Sequence, residues 1–132
     1  MTRISDVQQA LDTRLSTVSG LPDVAWPNTK HEPAINTTFV RPTLIPGSSA
    51  THNLIDEQSN PGIYQIDIYT PVGEGAAEAL MLADDIYDHF ARQDLSIGTV
   101  CLYINQIEVN TAQRIDSWHV LSVSVYYNSY SN

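Results

Sequence analysis

The stretch Ile63-Tyr64-Gln65-Ile66-Asp67-Ile68-Tyr69-Thr70 runs through Pro71-Val72-Gly73-Glu74-Gly75 into Ala76 to Ala91, and its apolar period changes on the way. Tyr64, Ile66 and Ile68 alternate with Gln65 and Asp67, and Tyr69 adds an aromatic to the second face. That is the pattern of a strand with one apolar side. Pro71 to Gly75 reads as a turn. It is no phosphate loop, because Gly73 and Gly75 are followed by no third Gly, Lys or Ser/Thr at the needed spacing. From Ala76 the period becomes 3.6. Ala76, Ala79, Leu80, Ala83, Ile86, Tyr87 and Phe90 gather on one side of a predicted helix. Glu78, Asp84, Asp85 and Asp88 gather on the other, with Met81 among them.

Outward from this unit the same two periods recur. Ile4, Val7, Leu11, Leu15 and Val18 mark a first helix over Ser5 to Val18. Ser5 with Gln8 can form a capping box, Gly20 suits the position after the last turn, and Pro22 blocks continuation. Asp23 to Trp26 is a short strand candidate and Thr37 to Ile45 a longer one. Pro42 inside the latter lacks an amide donor, which argues for a sheet edge or a bulge. Pro46 to Gly62 reads as a long, flexible polar loop. Val100 to Val109 and Ser117 to Tyr127 are further strands, joined through Asn110 to Arg114. Residues 128–132 read as a polar tail. Phe39, Phe90 and Trp118 are assigned to the core. The expected architecture is one α+β domain over residues 1–132. It has a largely antiparallel, mixed sheet with two helices packed on one face.

The chain has 132 residues, 6 Lys+Arg against 15 Asp+Glu, and a net charge of −9. So acidic a chain repels phosphate backbones and anionic lipid, which argues against general nucleic-acid or membrane-surface binding. The opening segment carries no hydrophobic signal region, and no apolar run approaches the ~20 residues of a membrane span. A soluble intracellular protein is expected. The acidity is local. From Pro42 to Ala91 there is no Lys or Arg, while eight acids fall there: Asp56, Glu57, Asp67, Glu74, Glu78, Asp84, Asp85 and Asp88. A solvated face is the plain reading. A surface turned towards an anion it must not hold, or a basic partner it must hold, is the sharper one. Asp84, Asp85 and Asp88 also sit near a helix end, where negative charge is unfavourable.

Little points to catalysis. Cys101 lies among Val100, Leu102 and Tyr103 in a strand pattern, as a structural thiol does. No Gly-x-Ser-x-Gly elbow occurs. Asp85 and His89, four apart on one helix face, are the weak candidates for a metal, with Asp84 and Asp88 as a second pair. Oxygen ligands of this type suit Mg²⁺ or Ca²⁺. Solvated helix acids explain the same residues, so no metal and no cofactor is expected. Asp67 points away from Ile66 and Ile68, to solvent, a lumen or a subunit contact. Arg41 is its candidate partner. Tyr126, Tyr127 and Tyr130 suit either an interaction strip or an ordinary sheet edge.

Three segments then form a recognisable set. They are Leu21-Pro22-x-Val24-Ala25-Trp26-x-Asn28, Phe39-Val40-Arg41-Pro42-Thr43-Leu44-Ile45-Pro46, and Gly62-Ile63-Tyr64-Gln65-Ile66-Asp67-Ile68-Tyr69-x-Pro71-x-Gly73-x-Gly75. A helix with Ala83-Asp84-x-Ile86 and a terminal Phe90 follows. In order and spacing, over about residues 5–92, the chain resembles the tail terminator proteins of lambda-like, long-tailed bacteriophages. The resemblance implies a structural virion protein with no catalytic residues, which assembles into a hexameric ring. That ring would cap the major tail-tube protein, end tail elongation and offer the surface that joins the head connector. DNA would pass through its channel without specific binding. The resemblance implies a location at the head-proximal end of the virion tail, after assembly in the host cytoplasm. Arg41, His52, Asp56, Glu57, Asp67, Glu78, Asp85 and Asp88 are the candidates for subunit, tube or channel contacts. Either the acidic helix face or the Asp56/Glu57 loop is expected to line the channel. A different neck or head-completion protein is the nearest alternative. From another class, the alternative is a small metal-dependent enzyme or ligand-binding domain using the Asp84–His89 cluster.

Overall fold

A computed structural model describes residues 4–26, 37–47, 50–51, 58–73, 77–91, 94–97 and 100–131. The elements in chain order are helix α1 (Ile4–Ser16), strands β1 (Asp23–Val24), β2 (Phe39–Pro46), β3 (Ala50–Thr51) and β4 (Gln58–Pro71), and helix α2 (Ala77–Phe90). Strands β5 (Asp94–Ile97), β6 (Val100–Val109), β7 (Gln113–Ile115) and β8 (Trp118–Ser131) complete the chain. One eight-stranded sheet has the order β1-β2-β4-β8-β6-β5, with β3 paired to β4 and β7 to β8. Only the β1–β2 pair is parallel. The expected mixed, largely antiparallel α+β fold is what the chain forms.

The centre of the sheet is the pair of 14-residue strands β4 and β8, in register from Ser59 opposite Tyr130 to Pro71 opposite Trp118. Their alternation decides the packing. Tyr64, Ile66 and Ile68 of β4 and Leu121, Val123, Val125 and Tyr127 of β8 turn to one side. There they meet Val7, Ala10, Leu11 and Leu15 of α1 and Ala79, Leu82, Ala83, Ile86 and Phe90 of α2. Each helix covers the sheet with a single stripe, so both lie on one face and the core is the layer between. Truncating a fully buried member such as Ile86 or Leu11 to Ala costs about 2–5 kcal/mol.

Several expectations need correction. α1 starts at Ile4, so Ser5 is inside the first turn rather than capping it. The helix stops at Ser16, and Thr17 and Val18 close it with bonds to Arg14 and Leu15 three residues back. Gly20 follows at φ 73°, in the left-handed region that glycine favours. The buried stripe of α2 includes Leu82 and leaves out Leu80 and Tyr87, which are 49% and 44% exposed. The sheet lies under positions 79, 82, 83, 86 and 90, so Leu80 and Tyr87 fall on the helix flank beside the acids.

The expected 46–62 loop is largely strand at its ends. Pro46 closes β2, β4 begins at Gln58, and the Gly47 amide donates to the Pro61 carbonyl at 2.8 Å. Residues 128–131, read as a tail, continue β8 between β4 and β6. A polar strand with partners on both sides needs no apolar alternation, which is why its sequence looked like a tail. β5 was not anticipated, and the expected connection at 110–114 contains the start of β7. The β7–β8 hairpin turns at Asp116, which adopts φ 53°. Phe39 is buried, as expected, but it and Trp118 pack on the far side of the sheet rather than in the main cluster under the helices.

Candidate assembly surfaces

The far face of the sheet has two parts. At one end Phe39 stacks on Tyr69 (centroids 4.6 Å apart, planes 7° apart), and Trp118 meets Phe39 edge-on at 5.1 Å. Arg41, exposed on the edge side of this cluster, places its guanidinium carbon 5.3 Å from the Tyr69 ring centre and 6.0 Å from that of Phe39. Its Nη1 also approaches the Tyr69 hydroxyl at 3.5 Å. Arg41 and Asp67 are opposite in register, as their sequence positions suggested. The Asp67 carboxylate, however, is held by the Ser122 hydroxyl at 2.6 Å and the Gln65 amide at 3.0 Å. Cation–π attraction holds the arginine over Tyr69 of β4 and Phe39 of its own strand, and Ser122 of β8 with Gln65 of β4 holds the acid.

The rest of that face is a polar network. Glu108 accepts from the Gln106 amide at 2.8 Å and the Tyr126 hydroxyl at 3.1 Å, and Asn110 donates to Ser124 at 3.1 Å. The bond to Glu108 pushes the Tyr126 hydroxyl pKa up. A β-bulge at Asn105 brings Gln106 opposite Tyr126 and Glu108 opposite Ser124, so the network depends on that irregularity. Tyr127, offered with Tyr126 as an interaction strip, belongs to the core instead. The side chain of Tyr130 lies outside the described residues.

The second surface is the outer side of α2. Asp84, Asp85 and Asp88 are exposed there, as the helical pattern predicted. Among them stand Leu80, Tyr87 and Met81, the last 67% exposed. Glu78 is set apart by the Thr38 hydroxyl, which donates to it at 2.6 Å beside the start of β2. A shallow cleft of about 320 Å³ between Val18, Ser19, Asp85, Asp88 and His89 separates this surface from the end of α1.

His89 is tied through its Nε2 to the end of α1. The Thr17 hydroxyl donates to the Arg14 carbonyl at 2.7 Å and lies 2.6 Å from His89 Nε2. With its one proton committed, the hydroxyl accepts from the ring, which places the histidine proton on Nε2. Burial, then the nearby Arg14 charge, lowers the His89 pKa. Among the described residues no three His, Cys, Asp or Glu converge as a metal site. His52, Asp56 and Glu57 lie outside the described residues. The sequence also gave no notice of the Tyr64 hydroxyl donating to Asp12 beneath α1. The only signal was an acid beside the apolar stripe of α1.

The geometry therefore offers two candidate surfaces on opposite layers of the protomer. A family model described as phage tail terminator protein matches residues 6–127. This chain belongs to the phage tail terminator family. Its role is structural, in the phage tail, and the family implies contact with tail and head components. Nine solved chains share its fold. One of them has a TM-score of 0.74 and 20% sequence identity, over 98% of this chain and 96% of that one. At that identity the likeness shows the terminator's fold alone. Among curated proteins nothing matches the chain in sequence. No described helix of this terminator is long and apolar enough to cross a membrane.

Proposed function

We propose that this terminator assembles into a hexameric ring that caps the tail tube, ends its elongation and offers the surface to which the head connector attaches. The family match over residues 6–127 carries this reading. The protomer's form supports it. A closed ring of identical copies needs two different, complementary patches on each copy. The aromatic–arginine end of the far sheet face and the mixed acidic and apolar side of α2 are two such patches. The local acidity supports a channel through which DNA moves without sticking, because negative walls do not hold phosphates. No step of catalysis is assigned. For the competing metal-dependent reading, no three His, Cys, Asp or Glu converge on the Asp84–His89 cluster among the described residues.

Electron microscopy and light scattering of the purified protein test the ring. Addition to growing tail tubes tests the cap. Ring particles of about six copies that halt tube growth are expected. A strict monomer that leaves tube growth unchanged overturns the proposal.

A further inference from the structure

The two assembly surfaces are matched to each other. On α2, Leu80, Met81 and Tyr87 surround Asp84, Asp85 and Asp88. On the far sheet face, Arg41 lies on the Tyr69 ring, and Ile45, on the same side of β2, is 43% exposed. The α2 patch joins exposed apolar side chains to negative charge, while on the sheet patch Arg41 supplies the positive charge and Asp67, opposite it in register, is already held by Ser122 and Gln65. Methionine, aromatic residues and arginine are the types enriched where protein interfaces are most buried. Among the described residues, no bond within the fold accounts for these acids near the C-terminal end of α2, where charge of that sign is unfavourable. The other described arginines are placed elsewhere. Arg14 is bound to the His89 carbonyl, and Arg114 is on β7, beyond the other end of the aromatic cluster.

We propose that Arg41 of one copy docks between Asp85 and Asp88 of a neighbouring copy, with Ile45 and the Tyr69 ring closing against the neighbour's Met81 and Tyr87. The occupant of each patch is thus a second copy of this chain. The guanidinium is always charged and is already oriented by the ring beneath it, so little freedom is lost when a carboxylate arrives. The patches lie on different layers of the protomer, so the contact is head-to-tail, the kind that closes into a ring around a rotation axis. The inference rests on the ring reading and sharpens it. It gives the α2 acids to the contact between copies.

The test is a charge exchange, read by light scattering over a concentration series at fixed, near-physiological salt, with circular dichroism to confirm folding. Arg41→Glu alone, and Asp85→Arg with Asp88→Arg alone, are each expected to raise the half-assembly concentration about tenfold or more. The three substitutions together restore assembly to near the wild-type concentration. Arg41→Gln and the pair Asp85→Asn with Asp88→Asn give the same readout, smaller in size, if a reversal disturbs folding. A wild type that assembles while the single-side reversals assemble equally well overturns this contact and leaves the ring reading standing. So does a folded triple variant that stays as impaired as its parents. A wild type that is monomeric throughout overturns the ring reading, and this contact with it.

Discussion

Arg14 of α1 closes the last turn of α2: its Nε and Nη2 both donate to the His89 carbonyl, at 2.9 and 2.6 Å. The end of a helix leaves carbonyls without partners and carries partial negative charge. Three aspartates are exposed along the same end of α2, and Arg14 brings a cation from the other helix to its last-turn carbonyl. Arg14→Ala should lower unfolding free energy by about 1.5–3 kcal/mol, the range for a hydrogen bond to a charged group. Arg14→Lys should recover part of this, since it keeps the charge and loses the fork. The urea midpoint measures both. A midpoint unchanged in Arg14→Ala refutes the account.

Asp12 gives the terminator an acid-side dependence of unusual sign. Burial raises its pKa above the ordinary 3.8, although the Tyr64 hydroxyl and Gln8 pull the other way. The folded protein therefore binds this proton more tightly than the unfolded chain does. Its contribution favours folding at low pH and is lost as pH rises through the raised value. Asp12→Asn keeps an acceptor for Tyr64 and removes the titration. Melting temperature followed from pH 4 upward should rise relative to wild type once Asp12 has ionised, and the two curves should converge at lower pH.

His89 acts in the opposite direction. Its pKa is lowered, mainly by burial, so protonation favours the unfolded chain. Stability is complete above the ordinary value of 6.5 and falls as the pH drops through it. His89→Gln, which retains a side-chain donor for Thr17, should flatten the wild-type decline between pH 7 and 5.5. A decline of equal depth in the variant would show that another group is responsible.

Gly62 is required by Tyr127, its partner across the β4–β8 pair. A Cβ built at Gly62 would lie 2.5 Å from the Tyr127 Cζ and 2.8 Å from its Cε2, and would also collide with the hydroxyl. Gly62→Ala should cost about 1–3 kcal/mol, as overpacking does. That is a loss of several degrees in melting temperature for a domain of this size. Tyr127→Leu should cost stability alone and relieve the clash in combination. The double variant is then less damaged than the sum of the two singles.

Much of this fold was legible because its central elements obey simple periods. Tyr64-Ile66-Ile68 and Leu121-Val123-Val125-Tyr127 alternate cleanly, and the structure puts both rows under the helices. The same logic failed where partners, not periodicity, make the strand. Asn128 to Ser131 and Gln58 to Pro61 are polar, yet β4 and β8 hold them against each other. Helix wheels also leave rotation open by one residue, which is how Leu80 and Leu82 changed places. Of the candidate site, the strand patterns make Arg41 the candidate partner of Asp67, and the register of β2 against β4 is what sets them opposite. The side chains' choice of other neighbours was not legible, because Tyr69, Ser122 and Gln65 compete at distances that no single strand reveals.

Pro42 and Pro46 stand on β2, whose outer side, among the described residues, is met by β1 only at Phe39 and Val40. Neither proline has an amide to offer, so this margin of the sheet presents an interrupted row of donors. A neighbour's strand finds no continuous template there. If the protein stops tube growth as proposed, it carries in its own backbone a guard against becoming the seed of another polymer. In the proposed ring, copies then recognise one another through side chains, which can let go.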